Sequence, residues 1–182
     1  GMFIAFILIG IMSSKADLVK DFDFILTQTR VDPAAVLSPE RFAHGFQIFQ
    51  HNLSVLITLA ALSFIYRSLG TMFALGWNAG VWGVTIVLFM GGGGETGLSP
   101  FIYGVTILIA ILPHLLTEAA SYLVGALAAI FLSRGISLYP IGDTRLNRVL
   151  AAVSVLALLS IALLASGAVL EHHVPRLVLE LI

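Results

Sequence analysis

The sequence predicts an all-α membrane protein: a polytopic transmembrane helix bundle of about five spans, with short amphipathic helices at the interface. Hydrophobic residues make up 59% of the chain and charged residues 10%, against roughly 45–50% and 25% in globular proteins. The mean hydropathy is +1.04. Several stretches also run for about 20 residues with few or no charges, the length that crosses a bilayer.

The composition excludes several classes of protein. High hydrophobicity with few charges excludes intrinsic disorder. The 9 Lys and Arg residues against 10 Asp and Glu leave no basic surplus, so we expect no nucleic-acid partner. The absence of cysteine excludes disulfides, thiolate metal sites and cysteine nucleophiles.

The first apolar segment, residues 2–12, is too short to cross a bilayer and is interpreted as a partial first span. Two alternatives stay open: either the first half of a span is missing, or the segment packs as a half-helix. Gly1 resembles a residue left by tag removal. A cleaved signal peptide is less favoured, because no basic region precedes the segment.

Residues 15–29 are predicted to form an amphipathic helix. Ser14 and Asp17 have the spacing of a capping box. Apolar residues then recur at helical spacing, and charged residues fill the other face. The helix lies either at the membrane interface or on the bundle as a soluble loop helix. Ser38 and Pro39 resemble an N-cap followed by proline, so the next helix is expected to start near residue 39.

The remaining spans are predicted at residues 39–66, 70–90, 100–133 and 148–170, with a short tail helix at 174–182. Residues 100–132 would measure about 50 Å as one helix, so this segment tilts strongly, breaks or crosses twice. Pro113 is the expected break, because proline donates no backbone hydrogen bond. Gly76 and Gly80 form a small-xxx-small pair that predicts the close approach of another helix.

The distribution of Lys and Arg does not decide the orientation. If residues 100–132 cross once, the two sides carry five and four cations, the four being Arg67, Arg134, Arg145 and Arg148. If they cross twice, the count is seven against two, and the 13–41 loop lies inside.

Polar residues at bilayer depth are the candidate functional residues. An ionisable side chain facing lipid costs at least about 2.5–3.5 kcal/mol, so it faces protein, water or a partner. Asn52 beside His51, Asn78 in the next span, and His114 with Glu118 one turn apart after Pro113 meet this description. We expect them to form a shared intramembrane polar site; the alternative is hydrogen bonding that joins helices.

No catalytic set accompanies these residues. The GLSP segment at 97–100 lacks the pattern of a rhomboid protease, and His114 with Glu118 is half a metal site. His172 and His173 are adjacent, so both cannot face one ion from a helix. We therefore expect no enzymatic activity, metal or cofactor.

Four motifs occur in order along the chain: FQHNLSV (49–55), GWNAGVWG (76–83), LPHLLTEAASYLVGALAA (112–129) and GAVLEHHVP (167–175). Together they resemble the motifs of the stage II sporulation protein M family over residues 40–176. The chain departs from the family pattern at three positions: His51 replaces an asparagine, and Ala79 and Leu115 replace glycines. The resemblance carries over these residues: Asn52, Asn78, Pro113, His114, Glu118, Glu171 and Pro175.

The resemblance implies five spans and a cytoplasmic N-terminus, with the 13–41 loop and the tail outside, which favours a single crossing by residues 100–132. In spore formers the family member assembles with two peptidoglycan-degrading partners during engulfment. Because most members occur in organisms that do not sporulate, a general role in the cell envelope is the safer implication.

We therefore expect a non-enzymatic, multi-pass protein of the cell membrane that acts as scaffold or subunit of a cell-envelope assembly. Its expected partners are the lipid bilayer and other proteins or copies of itself. The alternative is a transporter or permease component that uses the His/Glu/Asn site. A water-filled cavity reaching His114 and Glu118 would favour transport, and burial of both among neighbouring side chains would favour the scaffold.

Overall fold

The structure, a computed structural model, describes residues 1–22, 45–90 and 99–179, and within these ranges it contains six α-helices. Their bounds are α1 Met2–Met12, α2 Lys15–Asp21, α3 Gly45–Tyr66, α4 Ser68–Met90, α5 Pro100–Leu138 and α6 Thr144–Leu179. The all-α prediction is confirmed. The expected start of a helix near residue 39 lies outside the described residues.

Four of these helices are long and apolar enough to cross a membrane: Phe46–Tyr66, Ser68–Leu88, Phe101–Leu138 and Thr144–Val174. The membrane-bundle prediction is confirmed, but the described residues contain four such spans and not five. The difference is α1, which has 11 residues. At 1.5 Å per residue it measures about 16 Å, roughly half of a hydrocarbon core.

The prediction that α5 breaks at Pro113 is wrong. The helix runs for 39 residues with Pro113 inside it. A proline removes one hydrogen bond from a helix, but the other bonds of the ladder persist, and membrane helices tolerate the loss when neighbouring groups compensate. At 1.5 Å per residue the 39 residues of α5 rise about 58 Å along the helix, which is more than the thickness of a hydrocarbon core.

The tail is also not a separate helix. α6 continues without interruption to Leu179, through Pro175, although a new helix was expected from residue 174. The physical reason is the same as at Pro113, because a single missing N–H does not end a helix whose other hydrogen bonds remain.

α2 begins with the predicted cap. The backbone N–H of Asp17 donates to the Ser14 hydroxyl over 3.2 Å, and that hydroxyl donates to the Asp17 carboxylate over 2.6 Å. The described helix ends at Asp21; the remainder of the amphipathic helix predicted over 15–29 lies outside the described residues from position 23 onward. Phe22 packs edge-on against Phe6 of α1, with ring centroids 6.4 Å apart.

The chain groups into two compact units. Unit one comprises Gly1–His44, Gly76–Leu112 and His172–Ile182, and unit two comprises Gly45–Leu75 and Pro113–Glu171.

In unit one, α1 packs on the glycine face of α4. A Cβ added at Gly76 would lie 3.2 Å from Met2 Sδ, and one added at Gly80 would lie 3.2 Å from Phe6 Cζ. Further along, Gly10 faces Val87. The contacts advance together along both helices, so α1 runs parallel to α4. The short N-terminal helix α1 therefore packs against the predicted small-xxx-small pair of α4, Gly76 and Gly80.

In unit two, the end of α3 and the first residues of α4 pack against each other across a turn of one residue. Arg67 makes the turn with a φ of 53°. The buried Ser63 hydroxyl and the Thr71 hydroxyl are hydrogen-bonded at 2.9 Å across the hairpin. Gly70 lies directly against the Leu62 carbonyl, where no side chain fits.

The second hairpin of unit two joins α5 and α6. Its turn contains Gly142 with a φ of 96°, a value that favours glycine. The Asp143 carboxylate then accepts the N–H of Arg145 over 2.7 Å and caps α6. Near the turn, Gly135 allows Val149 to approach closely.

Deeper in this hairpin, Ser121 and Ser160 exchange hydrogen bonds. Each hydroxyl donates to the other residue's carbonyl, over 2.8 and 2.9 Å, and both residues are buried. Gly125 lies one turn further along α5 and makes room for Leu56 of α3 and for the Ser160 hydroxyl. The α5–α6 pair therefore combines close backbone approach with interhelical hydrogen bonds.

The close contact at Gly70 predicts that Gly70→Ala destabilises the α3–α4 hairpin by about 1–3 kcal/mol, because the added methyl group overlaps with a backbone carbonyl that cannot move alone. Thermal unfolding in detergent micelles, followed by circular dichroism, measures the effect. Gly104→Ala is the matched control: its methyl group meets only the flexible end of Met90 at 2.7 Å. Equal stability of the two variants would contradict the proposed contact.

Candidate functional site

Glu118 is the one described acidic residue that is buried within a candidate span, and it anchors the candidate site. It lies on α5 and is 7% exposed. His114 and Tyr122 lie one turn before and one turn after it, so the three residues share a face of the helix. A carboxyl group at this depth requires a hydrogen-bond partner, because none is available from lipid.

Tyr122 supplies that partner. Its hydroxyl donates to Glu118 Oε1 over 2.5 Å, and its side chain is fully buried. The sequence analysis did not single out Tyr122. The signal was present, since a tyrosine four residues after a buried acid lies within hydrogen-bonding distance on the same face.

Glu171, a residue expected from the family motif, lies near this pair. It is half-buried on α6 in the same unit, and its charge acts on both Glu118 and Tyr122. Two carboxyl groups in electrostatic contact within a membrane segment repel each other when both are ionised. The structure thus brings together Glu118 and Glu171, which are far apart in the sequence.

His114 is half-buried on the part of α5 that lies against Gly167 of α6. Its carbonyl accepts a hydrogen bond from the Thr117 hydroxyl over 2.8 Å. A Cβ added at Gly167 of α6 would lie 3.0 Å from that hydroxyl and 3.7 Å from the His114 carbonyl oxygen.

Leu115, which stands where the resemblance to the family implies a glycine, is buried. The close contact between α5 and α6 at this level involves a glycine of the facing helix, Gly167.

The other predicted site residues are distributed between the two units. Asn52 is half-buried on α3 in unit two, and Pro113 is the first residue of the α5 segment in that unit. Asn78 is 7% exposed in unit one, which also contains Pro175. A site shared by all four polar side chains therefore stays a prediction.

Unit two contains an apolar cavity, and it does not reach Glu118 or His114. Its lining comes from α3, α5 and α6 and includes neither Glu118 nor His114. Among the residues that the structure describes, no group of three His, Cys, Asp or Glu residues could hold a metal ion. His172 and His173 have their rings 4.6 Å apart, one edge-on to the other.

The Tyr122–Glu118 hydrogen bond predicts that Tyr122→Phe destabilises the fold by about 1–3 kcal/mol, since it leaves a buried carboxyl group without its donor. Unfolding in detergent micelles, followed by circular dichroism, measures the loss. Tyr103→Phe is the matched control. Tyr103 is also fully buried, but its hydroxyl has no hydrogen-bond partner among the described residues, so its removal is expected to change stability little.

Comparison with known proteins identifies a family. No curated protein and no solved structure matches the chain. A family model described as Stage II sporulation protein M matches residues 1–174. The four apolar helices, the acid on the third of them and the motif residues from Asn52 to Glu171 all fall within the matched range. The chain therefore belongs to the stage II sporulation protein M family.

Proposed function

We propose that this membrane protein is a non-enzymatic, multi-pass scaffold or subunit of an assembly in the cell membrane. The observation that carries the proposal is the environment of Glu118. The carboxyl group is buried against protein and hydrogen-bonded to Tyr122 within its own helix. A carboxyl group satisfied in this way can be buried where helices pack together, whereas a transport site requires access for a solute.

The large unburied area of two spans also supports a role in assembly. Only 17% of the apolar window in α3 and 11% of that in α6 are buried within the chain. The remaining surface faces lipid or partner helices. Association between membrane helices depends on packing and polar contacts, and the half-buried Glu171 of α6 offers a polar group for such a contact.

The proposed topology has the 13–41 loop and the end of α6 outside. It places Arg67, Arg134, Arg145 and Arg148 on the cytoplasmic side. A single crossing by the uninterrupted α5 supports this arrangement. The segments that carry these four arginines contain one acidic residue, Asp143, and this excess of positive charge also supports the arrangement.

Two substitutions at Glu118 test the proposal. Glu118→Gln keeps an acceptor for the Tyr122 hydroxyl, whereas Glu118→Ala leaves that buried hydroxyl without its acceptor, at about 1–3 kcal/mol. We expect Glu118→Ala to lower the amount of high-mass assembly strongly and Glu118→Gln to lower it less. Native gel electrophoresis of mildly solubilised membranes, normalised to the amount of the chain, gives the measurement.

Asp21→Asn serves as the control, because it removes an exposed carboxylate at the end of α2, outside the candidate spans. Solute uptake and export are measured in the same cells. If Glu118→Gln abolishes flux of a solute while the assembly stays intact, the protein is a transport component. If neither Glu118 variant changes assembly or flux, the site has no role in either.

A further inference from the structure

The outward face of α3 is polar, although α3 contains a candidate membrane span. Leu56, Leu59 and Ser63 are buried and mark the side of the helix that packs within unit two. At about 100° per residue, the opposite side carries a row of exposed polar residues, Gln47, His51, Ser54 and Thr58. We call this row the polar seam. It extends for about 16 Å along the helix, roughly half of a hydrocarbon core.

Lipid is an unfavourable environment for the polar seam. A side-chain amide that faces acyl chains loses its hydrogen bonds to water and gains none. The hydroxyls of Ser54 and Thr58 are satisfied within the helix, because each donates to the carbonyl four residues earlier, over 3.0 and 2.9 Å. The Gln47 side chain carries two N–H donors and a carbonyl acceptor, which a neighbouring polar helix can bind. The seam is therefore suited to contact with another helix.

The outward face of α6 provides a contrast within the same unit. The apolar window of α6 is buried even less than that of α3, 11% against 17%. Its exposed residues are nevertheless large and apolar, and they include Val155, Leu158, Leu159 and Val169. This face of α6 matches acyl chains in its chemistry, and the polar seam of α3 does not.

The spacing of the polar seam indicates the kind of contact. Its successive members are four, three and four residues apart, and the exposed Ala61 and Ile65 continue the pattern. Alternating steps of three and four residues average 3.5, the repeat that two helices need to wind around each other in a coiled coil. The short side chains of Ser54, Thr58 and Ala61 also let two backbones approach closely.

We propose that the polar seam of α3 packs against the same seam of a second copy of the chain. The distribution of charges gives all copies in one membrane the same orientation. A two-fold axis along the membrane normal then makes the two α3 helices parallel and brings identical residues together. The inference extends the proposed assembly role by naming one contact and the partner that makes it.

The chemistry of the polar seam favours a second copy over an unrelated helix. An amide group and a hydroxyl group both donate and accept hydrogen bonds, so each can pair with its own counterpart across a two-fold axis. The seam contains no Asp, Glu, Lys or Arg. Two copies therefore meet without repulsion between like charges. A partner of different sequence requires no such self-complementarity.

Cysteine cross-linking tests the contact, because the chain contains no cysteine of its own. The purified chain with one added cysteine is reconstituted in liposomes and oxidised with copper phenanthroline. We expect Ser54→Cys, Thr58→Cys and Ala61→Cys to give a product of twice the chain's mass, since a disulfide requires Cα atoms within about 7 Å. Ile57→Cys is the matched control. It is exposed at the same depth but lies about 100° around α3 from Thr58, and should cross-link about fivefold less.

A second pair of variants tests whether the helices must approach closely. In the chain that carries Ser54→Cys, Ala61→Leu places a bulky side chain in the pattern and should lower the cross-linked fraction about fivefold. Ala162→Leu adds the same volume to an exposed position of α6 and should leave the fraction unchanged. Gln47→Leu removes an amide from the seam and should lower the fraction as well.

Three results would overturn the proposal. Equal cross-linking at positions 54 and 57 would mean random collision. Absence of cross-links from all seam cysteines would mean that no second copy packs there. Rapid modification of Ser54→Cys by a charged, membrane-impermeant maleimide would mean that the face lines water. In each case, a high-mass assembly that still depends on Glu118 in native gels would leave the proposed function standing, so the two failures are distinguishable.

Discussion

The close contact between α5 and α6 is the interaction on which unit two depends. Ser121 and Ser160 hydrogen-bond to each other's backbones, and Gly125, Gly135 and Gly167 let the helices approach along their length. Lipid offers no hydrophobic driving force between helices, so packing and interhelical hydrogen bonds hold them together. The polar site forms on this pair, because Glu118 and Tyr122 lie on α5 and Glu171 lies on α6.

Small residues have three uses in this protein. On α4, Gly76, Gly80 and Gly83 form the surface on which α1 lies. Between α5 and α6 they permit hydrogen bonds between helices. Around the cavity they leave apolar space that the described side chains do not fill. The first two uses stabilise the fold.

The burial of Glu118 is the observation that supports the proposed role in an assembly. The carboxyl group is satisfied within the chain, which is the arrangement expected of a packing element. The chain leaves most of the α3 and α6 spans uncovered.

The sequence by itself determined the class of protein and most of the helices. Hydropathy and helix capping are local, and so the membrane assignment, the Ser14 cap and the helices around the polar motifs could be predicted. The predicted break at Pro113 and the predicted separate tail helix were wrong. In both places the hydrogen bonds on either side of a proline keep the helix continuous.

Only the tertiary structure decided which faces meet. It showed that α1 runs parallel to α4 and that Gly167 of α6 lies against Thr117 of α5. The contacts of α1 with α4 and of α5 with α6 join residues that are tens of positions apart in the sequence. Gly167 and Thr117 are one example. Helical periodicity places a residue on a face of its own helix but does not say which helix covers that face. The contacts between helices depend on the side-chain shapes and hydrogen-bonding groups of both helices. The sequence of one helix alone therefore does not determine them.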